Sequence, residues 1–454
     1  MVFYIFAAQS LILIAMVNER KSMLLPLALL VGLLAFSIGI YLKKNNRTLA
    51  FSIAETSKYA KVDLLSVKNS LTNGHEYSAI NSQFEQFVNK WGLVGATFCI
   101  AHKGRIIYAR SFGMANKEES IAMQPYHIMR VASISKLITA AAVMKLVEEG
   151  KLRLNDRVFG PDGILSDEKF LHYKDKRVEE ITVHNLLNHS GGWTPRWGDH
   201  LFIKDAIARE LGKDLPLDVD DYIVFALSKR LHFQPGTHNS YSNIGFVILQ
   251  RVIEKASGKD YESFVKDEIF EPLNIYDAHL ANNWDSLRYD NEVRYYEVPE
   301  AEKVTPFDGS MQSVLKSRGG NDVRALGAAG GWVISPISLT RFVMAVDGGN
   351  DFPDILSEKS VDIMKGTYNG KFQPLGWRWV KDDGTLWRSG SMAGTSALVV
   401  SRPDGYALTF ISNQSHWKGA RFPYVVDRFF LRIFDKYIKA VPHQNLLCVE
   451  KDKF

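Results

Sequence analysis

The apolar positions of this chain recur with a helical period from Ser78 onward. Ile80, Phe84, Phe87, Val88 and Trp91 predict an amphipathic first helix. Two strands are expected next, Val94–Ala101 and Arg105–Phe112, joined by a turn at His102-Lys103-Gly104. The largely apolar run that opens at Val131 predicts a helix reaching Glu149 and closed by Gly150. Ile244, Val247, Ile248, Val252 and Ile253 form a broad stripe, so Ile244–Ala256 reads as a second long helix ending at Ser257-Gly258. Residues 283–330 are polar and contain glycine, and read as a long surface loop. Late strands are expected at Trp377–Lys381, Thr385–Ser389, Ser396–Ser401 and Ala407–Ser412, the last two paired across Pro403-Asp404-Gly405. Arg421–Lys439 closes the pattern as an amphipathic helix.

This order predicts an α/β (α+β) fold. Strands from both ends of the chain would join one antiparallel sheet, and the helical middle would form an inserted subdomain, with a cleft between the lobes. The expected divisions are 1–42, a linker at 43–77 with a short helix near 60–71, a folded domain at 78–440 and a tail at 441–454.

The first division rests on Met23–Leu42, twenty residues without a charge. Arg20-Lys21 precede them and Lys43-Lys44 follow. That length spans a bilayer core as a helix, and no small-x-small cleavage site follows Leu42, so an uncleaved membrane anchor is expected. Residues 1–17 are also apolar and could add a second span. Similar positive charge on both flanks leaves the orientation open.

Composition narrows the function. The chain has 454 residues, 46% hydrophobic and 23% charged, with a net charge of +5, which is ordinary for a globular protein. No long basic block interleaved with aromatics suggests nucleic-acid binding. Cys99 sits in an apolar strand and reads as a buried hydrophobe, and two cysteines cannot staple a domain of this size. His184 and His189 are five apart, and no His-Glu-x-x-His or Gly-x-Ser-x-Gly occurs, so no metal, no cofactor and no Ser-His-Asp site are expected.

Three short elements carry candidate chemistry. Ser133 and Lys136 are three apart at the start of the Val131 helix and share one face, and an amine beside a hydroxyl can activate a serine. The same spacing occurs at Ser166/Lys169, Ser263/Lys266, Ser313/Lys316 and Ser415/Lys418, so the setting has to separate it from these. Tyr241-Ser242-Asn243 follows Pro235-Gly236 and precedes the Ile244 helix. A phenol near an ammonium is drawn toward phenolate and can take a serine proton. Arg388-Ser389-Gly390-Ser391 lies on an expected strand, where glycine permits close approach to the backbone.

In this order the three elements resemble the serine β-lactamase and penicillin-binding-protein superfamily, and most closely its class C β-lactamase-like branch of esterases, carboxypeptidases and peptidases. Leu186-Leu187-Asn188-His189-Ser190-Gly191-Gly192, Glu271-Pro272-Leu273-Asn274, Gly376-Trp377 and Gly390-Ser391-Met392-Ala393-Gly394-Thr395-Ser396 are also similar to family sequence. The resemblance covers roughly 78–437 and implies a β-lactamase/transpeptidase-like fold. It implies Ser133 as the acylated nucleophile and a proton shuttle shared by Lys136 and Tyr241. Asn243 would hold a substrate amide or Lys136, and the Ser133 and Ser391 amides would form the oxyanion hole. Arg388 stands where the family usually has Lys or His. It keeps a positive charge that could bias Tyr241 or grip a substrate carboxylate, but it cannot exchange a proton at neutral pH.

The expected activity is hydrolysis of an ester or amide in a small-molecule or peptide substrate, by an enzyme anchored to a membrane, and the resemblance implies a catalytic domain outside the cytoplasm. Carboxypeptidase, transpeptidase or β-lactamase activity, and a silent binding module of the same fold, are the alternatives. The oligomeric state stays open.

Overall fold

The computed structural model describes residues 63–367, 372 and 374–447. The expected membrane segments at 1–17 and 23–42, and Cys448, lie outside the described residues. Among the described residues no helix is long and apolar enough to cross a membrane.

Helix α1 (Ser78–Trp91) buries Ile80, Phe84, Phe87 and Val88 and ends at Gly92, whose left-handed φ of 59° suits a residue without a side chain. Strands β1 (Gly95–His102), β2 (Arg105–Asn116) and β3 (Ile121–Ala122) follow, then β4 (Met129–Arg130). Helix α2 (Ser135–Glu148) is buried on nearly every side, Lys136 included. The middle of the chain is mostly helical, with short helices at Val183–Leu187, Lys204–Leu211 and Val219–Leu227 and the long α3 (Asn243–Ser257). Strands β5 (His279–Leu280), β6 (Lys303–Val304) and β7 (Val314–Leu315) lead to α4 (Val323–Gly330), β8 (Trp332–Ile334) and α5 (Pro336–Met344). Strands β9 (Trp379–Val380), β10 (Leu386–Met392), β11 (Thr395–Ser401) and β12 (Tyr406–Ser412) precede α6 (Phe422–Ile433).

Both ends of the chain do build one antiparallel sheet, in the order β3-β2-β1-β12-β11-β10-β9. Its centre is the pairing of β1 with β12, where Ala96 faces Ser412 and His102 faces Tyr406. Alternate residues point to opposite faces. Phe98, Leu408 and Phe410 join Phe84, Phe87, Phe429 and Phe430 beneath α1 and α6. Phe84 stacks on Phe98 with centroids 4.0 Å apart. On the other face Thr409 accepts a hydrogen bond from Thr340 of α5 at 2.7 Å, beside the buried Cys99 thiol, which burial pushes up to about 12.

Two expectations are corrected. Residues 283–330 are not simply a surface loop: they contain α4, where Val323 and Ala325–Gly330 are buried. Polar residues around this short apolar segment masked it. The linker near 64–77 forms three 3-10 turns rather than one helix. Its Asn69 side chain accepts from the Ser111 amide at 2.8 Å and donates to the Met123 carbonyl at 3.0 Å, so this stretch is stitched to β2.

Candidate active site

Ser133 stands in a 3-10 turn, Ala132–Ile134, immediately before α2. Ala132 has a φ of 47°, a left-handed conformation costly for a residue with a Cβ. The turn leaves Ser133 half-buried at the floor of a cleft of about 260 Å³. Tyr241, Asn243, Arg388, Ser389 and Ser391 line the same cleft. The three sequence elements therefore meet, although they lie far apart along the chain.

The Tyr241 hydroxyl donates to Ser133 Oγ at 2.7 Å, while Lys136 Nζ lies farther, at 3.4 Å. The shorter bonds of Lys136 go to Asn243 Oδ1 at 2.7 Å and to the Ala329 carbonyl at 2.5 Å. Ala329 belongs to α4, which is broken at Gly327 (φ 27°, ψ −108°). The break comes just before Ala328 and Ala329, whose carbonyls turn to Thr139 and Lys136 of α2. A Cβ at Gly327 would lie 2.3 Å from Gln250 Oε1, so the tip of that side chain would have to shift.

Arg388 is only 2% exposed. Its Nε donates to the Ser133 carbonyl at 2.9 Å and its Nη2 lies 3.5 Å from the Tyr241 hydroxyl. Burial pushes the Tyr241 phenol up, but the Lys136 and Arg388 cations outweigh it and bring the phenol down to about 8. Burial lowers the Lys136 ammonium below its ordinary value, and Tyr241 opposes that shift.

Gly390 lets β10 approach the nucleophile turn. A Cβ there would lie 2.0 Å from the Val131 carbonyl oxygen. Ser391 sits one residue on, in register with Ser396 of β11 and on the cleft wall.

Two supports carried no signal in the sequence reading. Asp199 Oδ2 accepts from Asn243 Nδ2 at 2.8 Å, while Asp199 Oδ1 accepts from the Leu201 amide at 3.1 Å. Asn243 is thereby held with its oxygen toward Lys136. Asp199 lies in a short turn with no motif, and its capping of Leu201 is the only trace a sequence could show. His189, read in the sequence as part of a family-like stretch and, with His184, as a pair unsuited to a metal, packs its ring 4.6 Å from that of Tyr241. Its Nδ1 accepts from the Ser242 amide at 3.2 Å. Burial first, then the Arg388 and Lys136 charges, hold its imidazole well below the usual range, so it is a neutral acceptor here. Among the described residues no cluster of His, Cys, Asp or Glu is placed to hold a metal ion.

Comparison with known proteins adds a family. The beta-lactamase family profile matches residues 80–427. Esterase EstB of Burkholderia gladioli is 30% identical over 207 residues, 45% of this chain and 51% of the esterase, so the chain spans about half the length of that relative. A penicillin-binding protein of Bacillus subtilis is 27% identical over 346 residues, 74% of this chain and 71% of its own length. The crystal structure of a D-amino acid amidase from Ochrobactrum anthropi superposes with a TM-score of 0.62 at 20% identity, over 80% of this chain and 99% of the amidase, and shows the shared fold. With three quarters of its length matched by the profile and its three motif segments gathered in one cleft, the chain belongs to the beta-lactamase family.

Proposed function

We propose that the protein is a serine hydrolase that cleaves an ester or amide through an acyl-enzyme on Ser133. The observation that carries this reading is the 2.7 Å contact between Tyr241 and Ser133, with the phenol brought down to about 8.

The hydrogen bonds favour one division of the proton roles. Lys136 Nζ has three acceptors in reach: Asn243 Oδ1, the Ala329 carbonyl and Ser133 Oγ. The Asn243 and Ala329 oxygens take its two short bonds, while Ser133 Oγ, at 3.4 Å, already accepts the nearer Tyr241 hydroxyl at 2.7 Å. Lys136 therefore acts as a fixed cation and Tyr241 as the base. The Tyr241 phenolate takes the Ser133 proton as Oγ attacks the substrate carbonyl carbon. The Ser133 and Ser391 amides are the donors that would receive the oxyanion. Tyr241 then gives its proton to the leaving alkoxide or amine as the scissile bond breaks. In the second half Tyr241 takes a proton from water, which attacks the acyl carbon, and returns it to Ser133 Oγ as the acid leaves.

Of the two roles open to Arg388, the geometry favours biasing the phenol, because its guanidinium already bonds Ser133 and Tyr241 and is shielded from solvent. Asn243 likewise holds Lys136, since both ends of its amide are engaged within the protein. The twenty-residue apolar segment 23–42 supports a membrane-attached enzyme, and analogy with the family supports a hydrolase domain outside the cytoplasm.

Labelling with a fluorophosphonate or a fluorescent penicillin tests the nucleophile. The unaltered protein should take up at least one probe and Ser133→Ala neither. Labelling that survives Ser133→Ala would assign the chemistry to another residue, and no labelling of the unaltered protein would remove the hydrolase reading.

A further inference from the structure

The outer face of α1 and α6 takes no part in the chemistry above. Helix α6 turns Phe422, Val426, Phe429, Phe430 and Ile433 inward. From Lys418 onward the segment also carries Arg421, Arg428, Arg432, Lys436 and Lys439, against only two acids up to that point. Both acids are already paired, Asp427 with Lys381 at 3.2 Å and Asp435 with Lys439 at 2.7 Å. Between α1 and α6 lies a groove of about 440 Å³ with an aromatic floor of Phe87, Trp91 and Phe429. Its charged rim is Lys90, Arg428 and Arg432, and no acidic side chain lines it.

Exposed apolar groups continue the face. Trp417 is 71% exposed, Leu431 53% and Tyr424 42%. Lys418 Nζ stands 4.1 Å over the Trp417 ring, and Lys90 and Lys418 both lie 5.9 Å from the Trp91 ring centre. Cations interleaved with half-exposed aromatic rings suit the boundary of a bilayer: the ammonium and guanidinium groups meet lipid phosphates, and the rings rest at the level of the headgroups. An exposed indole carries apolar surface that water solvates poorly and a lipid interface covers. The face also adjoins the cleft, because Ala420 and Tyr424 line the Ser133 pocket.

We propose that the α1–α6 face docks on an anionic lipid bilayer, seating the mouth of the Ser133 cleft beside the membrane surface. Charge complementarity selects anionic over zwitterionic lipid. Nearness to a bilayer rests on the membrane attachment proposed above.

The test uses the full chain in lipid vesicles, with Cys448→Ser and a single reporter cysteine, Cys99 being buried. A fluorophore on Trp417→Cys is compared with one on Met311→Cys, a fully exposed position in the β6–β7 loop. In vesicles rich in phosphatidylglycerol, collision with a water-soluble quencher should fall about tenfold at 417 and stay unchanged at 311. In phosphatidylcholine, or in high salt, the 417 probe should be quenched freely, since screening removes the attraction. The triple variant Lys90→Glu/Arg428→Glu/Arg432→Glu should lose the shielding while keeping its activity on a soluble ester, which shows that it folds. Equal quenching at 417 in both lipids, equal shielding at 311 and 417, or shielding that survives charge reversal would each overturn the proposal. Failure of attachment looks different: the protein would then be missing from both kinds of vesicle, and that result removes the docking as well.

Discussion

Arg388 sets the working range of the site at the scale of single residues. A cation within reach of a phenol stabilises the phenolate, so removing it must raise the Tyr241 value from about 8. In the mechanism proposed above the reactive form is the ionised phenol, and kcat/KM should therefore climb with pH through about 8 in the unaltered enzyme. In Arg388→Met that rise should move upward by about one pH unit, leaving activity near neutrality several-fold lower. A pH–rate profile checks both statements, and an unmoved midpoint in the variant would show that Arg388 only pins the Ser133 carbonyl. Ser133, Lys136, Tyr241 and Arg388 could be read from the chain because each sits in a fixed local spacing. The pull of Arg388 on Tyr241 was expected from the resemblance, but its bond to the Ser133 carbonyl was not, because that contact crosses 255 positions. Asp199 was invisible for a related reason, since an isolated aspartate in a turn looks the same whether it caps a backbone amide or also steers Asn243.

Elements fix the site by close approach rather than by added bonds. β10 lies against the Ala132–Ile134 turn so tightly that Gly390 has no room for a methyl group before the Val131 carbonyl. Gly390→Ala should push β10 away from the turn and cost about 2 kcal/mol of stability. Activity should fall further than a stability loss of that size explains, because Ser391 and Arg388 ride on the same strand. Thermal melting combined with the rate of probe labelling separates the two effects, and a variant that labels at the normal rate would refute the close-packing argument. Strand β1 and helices α1 and α3 were legible from the sequence, since each buries one continuous set of apolar positions, whereas the two-residue β3 was not. Helix α4 was not, because its buried residues include small ones, Ala325, Ala328 and Ala329, and two glycines, Gly327 and Gly330, which read equally well as loop. What those small residues supply is access, letting carbonyl groups come within reach of Lys136 and Thr139.

The whole molecule divides into a folded body and a segment that precedes it. Asn69 and Thr72 bond Arg110, so the body begins before the first long helix. A chain shortened to start at Asp63 should keep those bonds, remain in the supernatant and hydrolyse soluble esters at the full rate. The full-length protein should sediment with membranes and resist extraction by high salt. Fractionation and an esterase assay on both chains decide this, and a full-length protein recovered in the soluble fraction would end the anchor reading. The central pairing of β1 with β12 has a consequence for how the enzyme comes into being. Ser133 emerges early in synthesis, Tyr241 later, and Arg388 with Gly390 later still, after which β11, β12 and α6 must close the sheet before β1 has its partner. A growing chain therefore carries the serine long before it carries a nucleophile. Under the acyl-enzyme reading proposed above, the order of translation therefore withholds a complete site until the last strands are in place.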